Sequence, residues 1–252
     1  MHEYESLGHM TEINGTLGHM TEINGTDDES ISYYMPHHGV LKEQRVTTKL
    51  RVVFDASTPT STGFSLNNIQ CVGPIVQDDL MSIILRFRIH RFVISADVTK
   101  MYRQILVAEE QRRLQRILWR DEPTQKVKTY ELNTVTYGTA SASYLATRCI
   151  RQLALDCKEQ LPMVSKVIEQ DFYVDDLLTG ANEIEEATYI AQTVANILGS
   201  AGFELRKWLS NESRIVDSLN ITSSTTEANI MQIGNGEKCK TLGLAWSANW
   251  QW

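Results

Sequence analysis

Acidic side chains stand where two predicted strands of this 252-residue chain end or turn. Residues 91–98 alternate apolar and polar side chains, which predicts a half-buried strand that delivers Asp97 at its end. Farther along, Asp175 and Asp176 lie between the apolar segments 172–174 and 177–179, which predicts a tight hairpin with both acids at its tip. A fold that pairs these segments would bring three carboxylates together.

The rest of the chain mixes strand and helix patterns, which predicts an α+β fold with a mainly antiparallel sheet. The other predicted strands are 48–54, 115–120, 127–136 and 240–246. The predicted helices open at Gln77 and cover 141–159 and 183–201, the last with Asn182 and Glu185 as a capping box.

The charge of the chain is unevenly distributed. The formal net charge is -7, but residues 1–41 hold seven acids and no Lys or Arg. Residues 42–120 carry 13 basic and 7 acidic side chains, whereas residues 121–252 carry 11 and 17. One interpretation is that the basic segment contacts phosphates. The alternative is that these side chains are ordinary solvated surface charges, which would give the same asymmetry.

The start of the chain contains a duplication, since residues 7–16 and 17–26 share the sequence LGHMTEINGT. Two short copies are too few for a solenoid, and an acidic run follows them. We therefore expect residues 1–32 to form an acidic leader that is extended or disordered.

The three carboxylates suit metal-assisted phosphoryl transfer. In such reactions two cations about 3.5–4 Å apart lower the charge on the attacking and leaving oxygens. Mg²⁺ takes one or two protein carboxylates and completes its shell with phosphates and water. A bound dication would also relieve the repulsion between Asp175 and Asp176. An Asp-Asp pair alone is typical of a solvated turn, but the apolar hairpin and the earlier Asp97 favour a metal site.

Residues 173–176, YVDD, resemble the YxDD signature of reverse transcriptases, and residues 93–98, VISADV, resemble the segment with their other catalytic aspartate. Further segments that resemble family elements follow the family's order and are 49–53, 136–142, 202–207 and 242–244. The amino-acid sequence of residues 34–40 and 50–57 is similar to sequences of the Pao/BEL group of long-terminal-repeat retrotransposons. The resemblance covers about residues 33–246.

The resemblance implies a role for each matched residue. The catalytic carboxylates would be Asp97, Asp175 and Asp176, and the metal ligands these three with the backbone carbonyl of Val98. The residues at the incoming nucleotide would be Arg51, Lys49, Tyr102, Tyr137, Gly138 and Lys207. The residues at primer or template would be Tyr173, Leu242 and Gly243. The implied cofactors are two Mg²⁺ ions, with Mn²⁺ as a substitute.

Some of these roles have simpler alternatives. Tyr102 would clash with a ribose 2′-hydroxyl and so select deoxynucleotides. Arg51 would neutralise triphosphate charge, or it is an ordinary exposed strand residue. Lys207 would donate a proton to pyrophosphate, or it is a solvated lysine.

The implied architecture is the fingers and palm of a reverse transcriptase, with an antiparallel palm sheet backed by helices. We expect fingers at about 33–96 and 110–135, and palm at about 97–109 and 136–252. Because the sequence stops at Trp252, we expect the thumb and the RNase H domain to be absent.

The leading interpretation is the RNA-directed DNA polymerase domain of a retrotransposon. It would be a nucleotidyltransferase that extends a primer on an RNA or DNA template with deoxynucleoside triphosphates. One alternative is a catalytically inactive or domesticated fragment that only binds nucleic acid, which the missing thumb favours. Another is an RNA-templated RNA polymerase, against which Tyr102 argues.

The sequence also predicts the surroundings of the protein. No apolar stretch is long enough to cross a bilayer, and no apolar run follows the acidic start. The four cysteines lack metal-binding spacing, which favours free thiols in a reducing compartment. We expect an intracellular protein without a membrane partner, in the cytoplasm within a virus-like particle or in the nucleus. The oligomeric state does not follow from the sequence.

Overall fold

The computed structural model describes residues 20–23, 31–41, 50–220, 238–242 and 244–247. The strands are β1 (Met20–Ile23), β2 (His37–Leu41), β3 (Leu50–Phe54), β4 (Phe92–Val98), β5 (Arg116–Trp119), β6 (Lys128–Leu132), β7 (Phe172–Tyr173), β8 (Asp176–Ala181), β9 (Leu205–Ser210), β10 (Lys238–Thr241) and β11 (Leu244–Ser247). The α-helices are α1 (Leu66–Ile69), α2 (Leu80–Ile89), α3 (Glu109–Arg112), α4 (Ala142–Cys157), α5 (Pro162–Gln170), α6 (Ile184–Ser200) and α7 (Ser213–Asn220).

Every pair of these strands is antiparallel, and helices alternate with strands along the chain. The predicted α+β class is therefore confirmed. Within the described ranges, no helix is long and apolar enough to cross a bilayer.

The chain divides into two compact units. Unit 1 takes the described residues of Met1–Pro74 and Tyr102–Leu145, and unit 2 those of Ile75–Met101 and Ala146–Trp252. These bounds differ from the predicted fingers and palm, because residues 75–96 group with the segment after residue 146. The reason is that α2 packs on β7 and β8 and buries Ile83 and Phe87 beside Leu178.

Unit 1 contains a three-stranded sheet of order β1-β6-β5 and the separate pair β2-β3. The pairing of β5 with β6 around residues 121–123 confirms the predicted strand pair. The core of unit 1 contains an apolar cluster of buried side chains that includes Met35, Val52, Phe54, Ile117 and Leu132.

Strand β1 lies within the predicted leader, which was expected to be extended or disordered, and its residues are extended. Met20–Ile23, in the second decapeptide, pairs with β6. Thr21 exchanges hydrogen bonds with Asn133, and Lys128 lies 2.8 Å from the Glu22 carboxylate. These cross-strand contacts order the segment. Residues 1–19 and 24–30 lie outside the described residues.

Unit 2 contains a four-stranded sheet of order β7-β8-β4-β9. Helix α6 packs on β4, β8 and β9. It presents a buried stripe formed by Ala187, Ile190, Ala191, Val194 and Leu198. Asp79 caps α2, since its carboxylate accepts the backbone N–H of Ser82 at 3.0 Å. The sheet therefore has its central strand β4 supported by an apolar helix.

Two local predictions in unit 2 were wrong. Helix α6 has Glu183 at its N-cap without a side-chain capping bond. The predicted cap, Asn182, instead accepts the backbone N–H of Arg91 at 3.3 Å. The predicted last strand at 240–246 is a hairpin, because β10 pairs with β11.

Candidate active site

The structure brings the predicted carboxylates of unit 2 together. Asp97 on β4 is the Cα partner of Asp176, the first residue of β8. Asp175 stands in the turn between β7 and β8, and its backbone carbonyl accepts the N–H of Val98 at 2.7 Å. Three acids from two distant segments thus meet at one end of the sheet, and the Val98 backbone lies directly beside the turn.

A β-bulge brings a lysine to the same place. Ser95 pairs with Leu209 and Asp97 pairs with Arg206, so Lys207 and Trp208 together oppose Ala96. Lys207 has a φ of +55°, and its Nζ lies 3.1 Å from Oδ2 of Asp97. Bulges re-aim side chains in this manner. The extra residue of β9 therefore supplies the cationic neighbour of the acids.

The pKa values of Asp175 and Asp176 are both raised in this site. The pKa of Asp176 is raised to about 6, first by burial and then by the negative charges of Asp175 and Asp97. The pKa of Asp175 is also raised, first by burial and then by Asp97. Lys207 lowers the pKa of both residues without cancelling these effects. The site therefore carries uncompensated negative charge that a bound cation would stabilise.

The donor set fits a hard divalent cation in part. Among the residues that the structure describes, no three or more His, Cys, Asp or Glu side chains are grouped so as to hold a metal ion. The Asp97 carboxylate faces the ammonium of Lys207 instead. Mg²⁺ needs only one or two protein carboxylates when phosphates and water complete its shell. The oxygen-only ligands match that requirement.

The turn that carries Asp175 depends on a residue that the sequence analysis gave no role in the site. Val174 has a φ of +55°, and its N–H donates to Oε1 of Gln77 at 3.0 Å. Gln77 was predicted only to open a helix. A polar residue just before a helix does not by itself indicate a contact with Val174, 97 positions later in the sequence.

Two of the three residues predicted at primer or template are described by the structure. Tyr173 and Leu242 are partly buried and pack against the cluster of Ile83, Phe87, Val93 and Leu178. Leu242 has a φ of +54°. Gly243 lies outside the described residues.

The other predicted nucleotide-binding residues belong to unit 1. The Tyr137 hydroxyl donates to the carbonyl of Val52 at 2.8 Å, and the Arg51 guanidinium lies 5.7 Å from the Tyr137 ring centroid. Gly138 has a φ of +100°, and a Cβ there would lie 2.3 Å from the carbonyl oxygen of Phe54. The Tyr102 hydroxyl lies 3.3 Å from Oγ of Ser143. Lys49 is outside the described residues.

A second arginine at Tyr137 was missed by the sequence analysis. The guanidinium of Arg103 lies 5.3 Å from the ring centroid of Tyr137 and 5.4 Å from that of Phe54. Arg51 and Arg103 therefore both contact one aromatic ring by cation–π interaction. Nothing in the local sequence pattern of residues 101–104 indicates this contact.

Comparisons with known proteins bear on the fold. No protein-family model matches the chain, and no curated protein matches it. Solved structures of the foamy virus protease-reverse transcriptase do match. The crystal structure of the selenomethionine-labelled prototype foamy virus mutant has a TM-score of 0.55 at 18% identity, covering 75% of this chain and 21% of the other.

Two further structures of the foamy viral enzyme contain nucleic acid. The one in complex with an RNA/DNA hybrid has a TM-score of 0.52 at 15% identity over 69% of this chain. The one in complex with double-stranded DNA has a TM-score of 0.53 at 17% identity over 74%. This chain covers 20% and 27% of those two chains. The described chain therefore has a reverse-transcriptase-like fold.

Proposed function

We propose that this chain is the fingers and palm part of a retrotransposon RNA-directed DNA polymerase, with Pao/BEL-type sequence features. The observation that carries the proposal is the pairing of Asp97 with Asp176 in register, beside Asp175 in the adjoining turn. A strand end and a hairpin tip thereby present acids at one point, as two-metal phosphoryl transfer requires.

In this proposal Asp97, Asp175 and Asp176 hold two Mg²⁺ ions, for which Mn²⁺ substitutes. When bound, such ions lower the charge on the attacking 3′-hydroxyl and on the leaving pyrophosphate. Asp97 would offer such an ion a carboxylate oxygen, while the Lys207 ammonium contacts Oδ2 of the same residue. Lys207 would be the proton donor to pyrophosphate.

Unit 1 supplies groups suited to an incoming deoxynucleoside triphosphate. Arg51 and Arg103 place positive charge at Tyr137, and guanidinium groups bind phosphates well. Tyr102 excludes a ribose 2′-hydroxyl, and Gly138 lets the backbone approach closely. We further propose that the substrate is an RNA or DNA template with its primer, as the nucleic-acid complexes of the foamy viral enzyme suggest.

Primer extension tests the proposal. The full chain, with an RNA template, a DNA primer and Mg²⁺, should incorporate deoxynucleotides in preference to ribonucleotides. Asp97→Asn should abolish extension, and Asp217→Asn, which makes the same change at an exposed position of α7, should not. A preference for ribonucleotides, or equal activity of Asp97→Asn and the parent, would contradict the proposal.

A second candidate is an inactive module that only binds nucleic acid. The observation that favours it is the ion pair of Lys207 with Asp97, which engages one of the three proposed carboxylate ligands. Retained duplex binding without any extension, at high protein concentration and in Mg²⁺ or Mn²⁺, would support this candidate instead.

A further inference from the structure

The turn that carries Asp175 has an unfavourable backbone conformation. Val174 has a φ of +55°, where the Cβ of an L-residue is crowded and a β-branched side chain is a clear outlier. Such conformations persist only when surrounding contacts hold them. The environment of Val174 must therefore contain a contact that stabilises the turn.

The contact is a hydrogen bond that Val174 donates to a residue far away in the sequence. Oε1 of Gln77 accepts the N–H of Val174 at 3.0 Å in a partly buried setting. Gln77 stands two residues before Asp79, the N-cap of α2. Because α2 packs on β7 and β8, the position of Gln77 relative to the turn is fixed by the same helix that supports the hairpin.

The same helix fixes the beginning of the hairpin. Arg86 of α2 donates through Nε to Oδ1 of Asp171 at 3.0 Å, and through its terminal nitrogen to the carbonyl of Gln170. Arg86 also pairs with Asp78 at 2.9 Å, next to Gln77. The hairpin is thus attached to the α2 segment at its start and at its tip.

We propose that Gln77 is a positioning residue for the carboxylate hairpin. Its side-chain carbonyl holds the N–H of Val174 and stabilises the turn conformation that places Asp175 and Asp176 beside Asp97. The part of this inference that concerns metal binding rests on the proposed function, whereas the part that concerns the turn does not.

Hydrogen exchange of the Val174 amide tests the turn without any metal or activity. In Gln77→Met, which keeps the side-chain length but removes the acceptor, this amide should exchange about tenfold faster, as expected for one lost hydrogen bond. Gln77→Glu keeps an acceptor oxygen and should restore the parent rate. Gln152→Met, the same change at an exposed position of α4, is the control. An unchanged Val174 rate in Gln77→Met would overturn the inference.

A double-mutant cycle separates positioning from general loss of stability. Glycine adopts a positive φ without strain, so Val174→Gly should make the turn less dependent on Gln77. We expect Gln77→Met to weaken Mn²⁺ binding to the full chain, measured by electron paramagnetic resonance of the free ion, about tenfold in the parent and clearly less in Val174→Gly. An equal loss in both backgrounds would overturn the positioning role.

Asp175→Asn distinguishes failure of this inference from failure of the proposed function. If Asp175→Asn weakens Mn²⁺ binding and Gln77→Met does not, Gln77 has no positioning role and the proposed function stands. If Asp175→Asn and the parent bind Mn²⁺ equally, the proposed function fails, and the metal-positioning role of Gln77 fails with it. In that second case the exchange rate of the Val174 amide still decides whether Gln77 holds the turn.

Discussion

Two acidic regions lie at the start and at the tip of the same hairpin, and their surroundings differ. At the start, the buried Asp171 accepts hydrogen bonds from Thr179 at 2.8 Å and from Arg86 at 3.0 Å. At the tip, Asp176 has two further carboxylates as neighbours, Asp175 and Asp97. Burial raises the pKa of Asp171 and of Asp176 alike.

The difference lies in what opposes the cost of burial. Donors from Thr179 and Arg86 lower the pKa of Asp171 again, so that carboxylate is compensated within the fold. Like charges raise the pKa of Asp176 further, and Lys207 opposes them. The compensated acid serves the structure of the hairpin, whereas the uncompensated group is suited to bind something cationic from outside.

The substitution with the largest expected effect tests this comparison, because it should lower activity without lowering stability. Asp175→Asn should reduce primer extension by at least about a hundredfold, equivalent to roughly 3 kcal/mol of transition-state stabilisation. Its free energy of unfolding without metal should be unchanged or higher, because one repelling charge is removed. Extension assays and urea denaturation check both. Asp171→Asn should show the reverse pattern, with lost stability and retained activity per folded molecule.

The next effect concerns the compensated acid. Arg86→Met leaves Asp171 buried without its cationic partner and should lower the free energy of unfolding by about 3 kcal/mol at neutral pH. The loss should be smaller at acidic pH, where Asp171 takes up a proton. Arg214→Met, at the exposed pair with Glu212, is the control and should cost much less, because exposed ion pairs contribute little to stability. Equal losses of unfolding free energy in the two variants would show that the buried Asp171 does not depend on its ion pair with Arg86.

The pH dependence of stability sharpens the comparison at the tip. Asp176 has a pKa of about 6 in the folded protein against an ordinary value of 3.8. The folded state therefore binds more protons between these values, and stability falls as the pH rises through them. Urea denaturation of the chain in a chelator, between pH 4 and about 6, should show this fall. Asp176→Asn should make it shallower, and an identical slope would contradict the assignment.

The smallest effect is expected for Lys207, a cation that opposes these charges. Lys207 lowers the pKa of Asp176, so Lys207→Met should extend the pH-dependent fall in stability to higher pH. The change in stability itself should stay below about 1 kcal/mol, because the Lys207 side chain is 71% exposed. The same denaturation series measures both quantities. A fall at an unchanged pH would mean that Lys207 does not act on these acids.

The sequence predicted those parts of the molecule that depend on local pattern. Alternation in 91–98 and the apolar flanks of Asp175-Asp176 were sufficient to predict β4, the hairpin and their acids. The pairing of Arg86 with Asp171 joins residues 85 apart, and the contact of Gln77 with Val174 is longer still. Such contacts depend on tertiary packing, which leaves no periodic signal in the chain.

Local signals also failed where a tertiary contact competed with them. Asn182 is of a residue type that commonly caps helices, but its side-chain oxygen accepts the backbone N–H of Arg91, just before β4. The bulge at Lys207 adds one residue to β9, and the strand pattern of 205–210 does not show it. The position of the lysine at Asp97 could therefore not be derived from spacing alone.

Strand β1 has a consequence for the tolerance of unit 1 to changes in chain length. Because the two decapeptides are identical, deletion of either one yields the same shorter polypeptide. That polypeptide keeps the Met-Thr-Glu-Ile segment at an unchanged distance in sequence from β6, with the partners of Thr21 and Glu22 intact. Gain or loss of one ten-residue unit therefore leaves the residues of β1 and their partners on β6 unchanged.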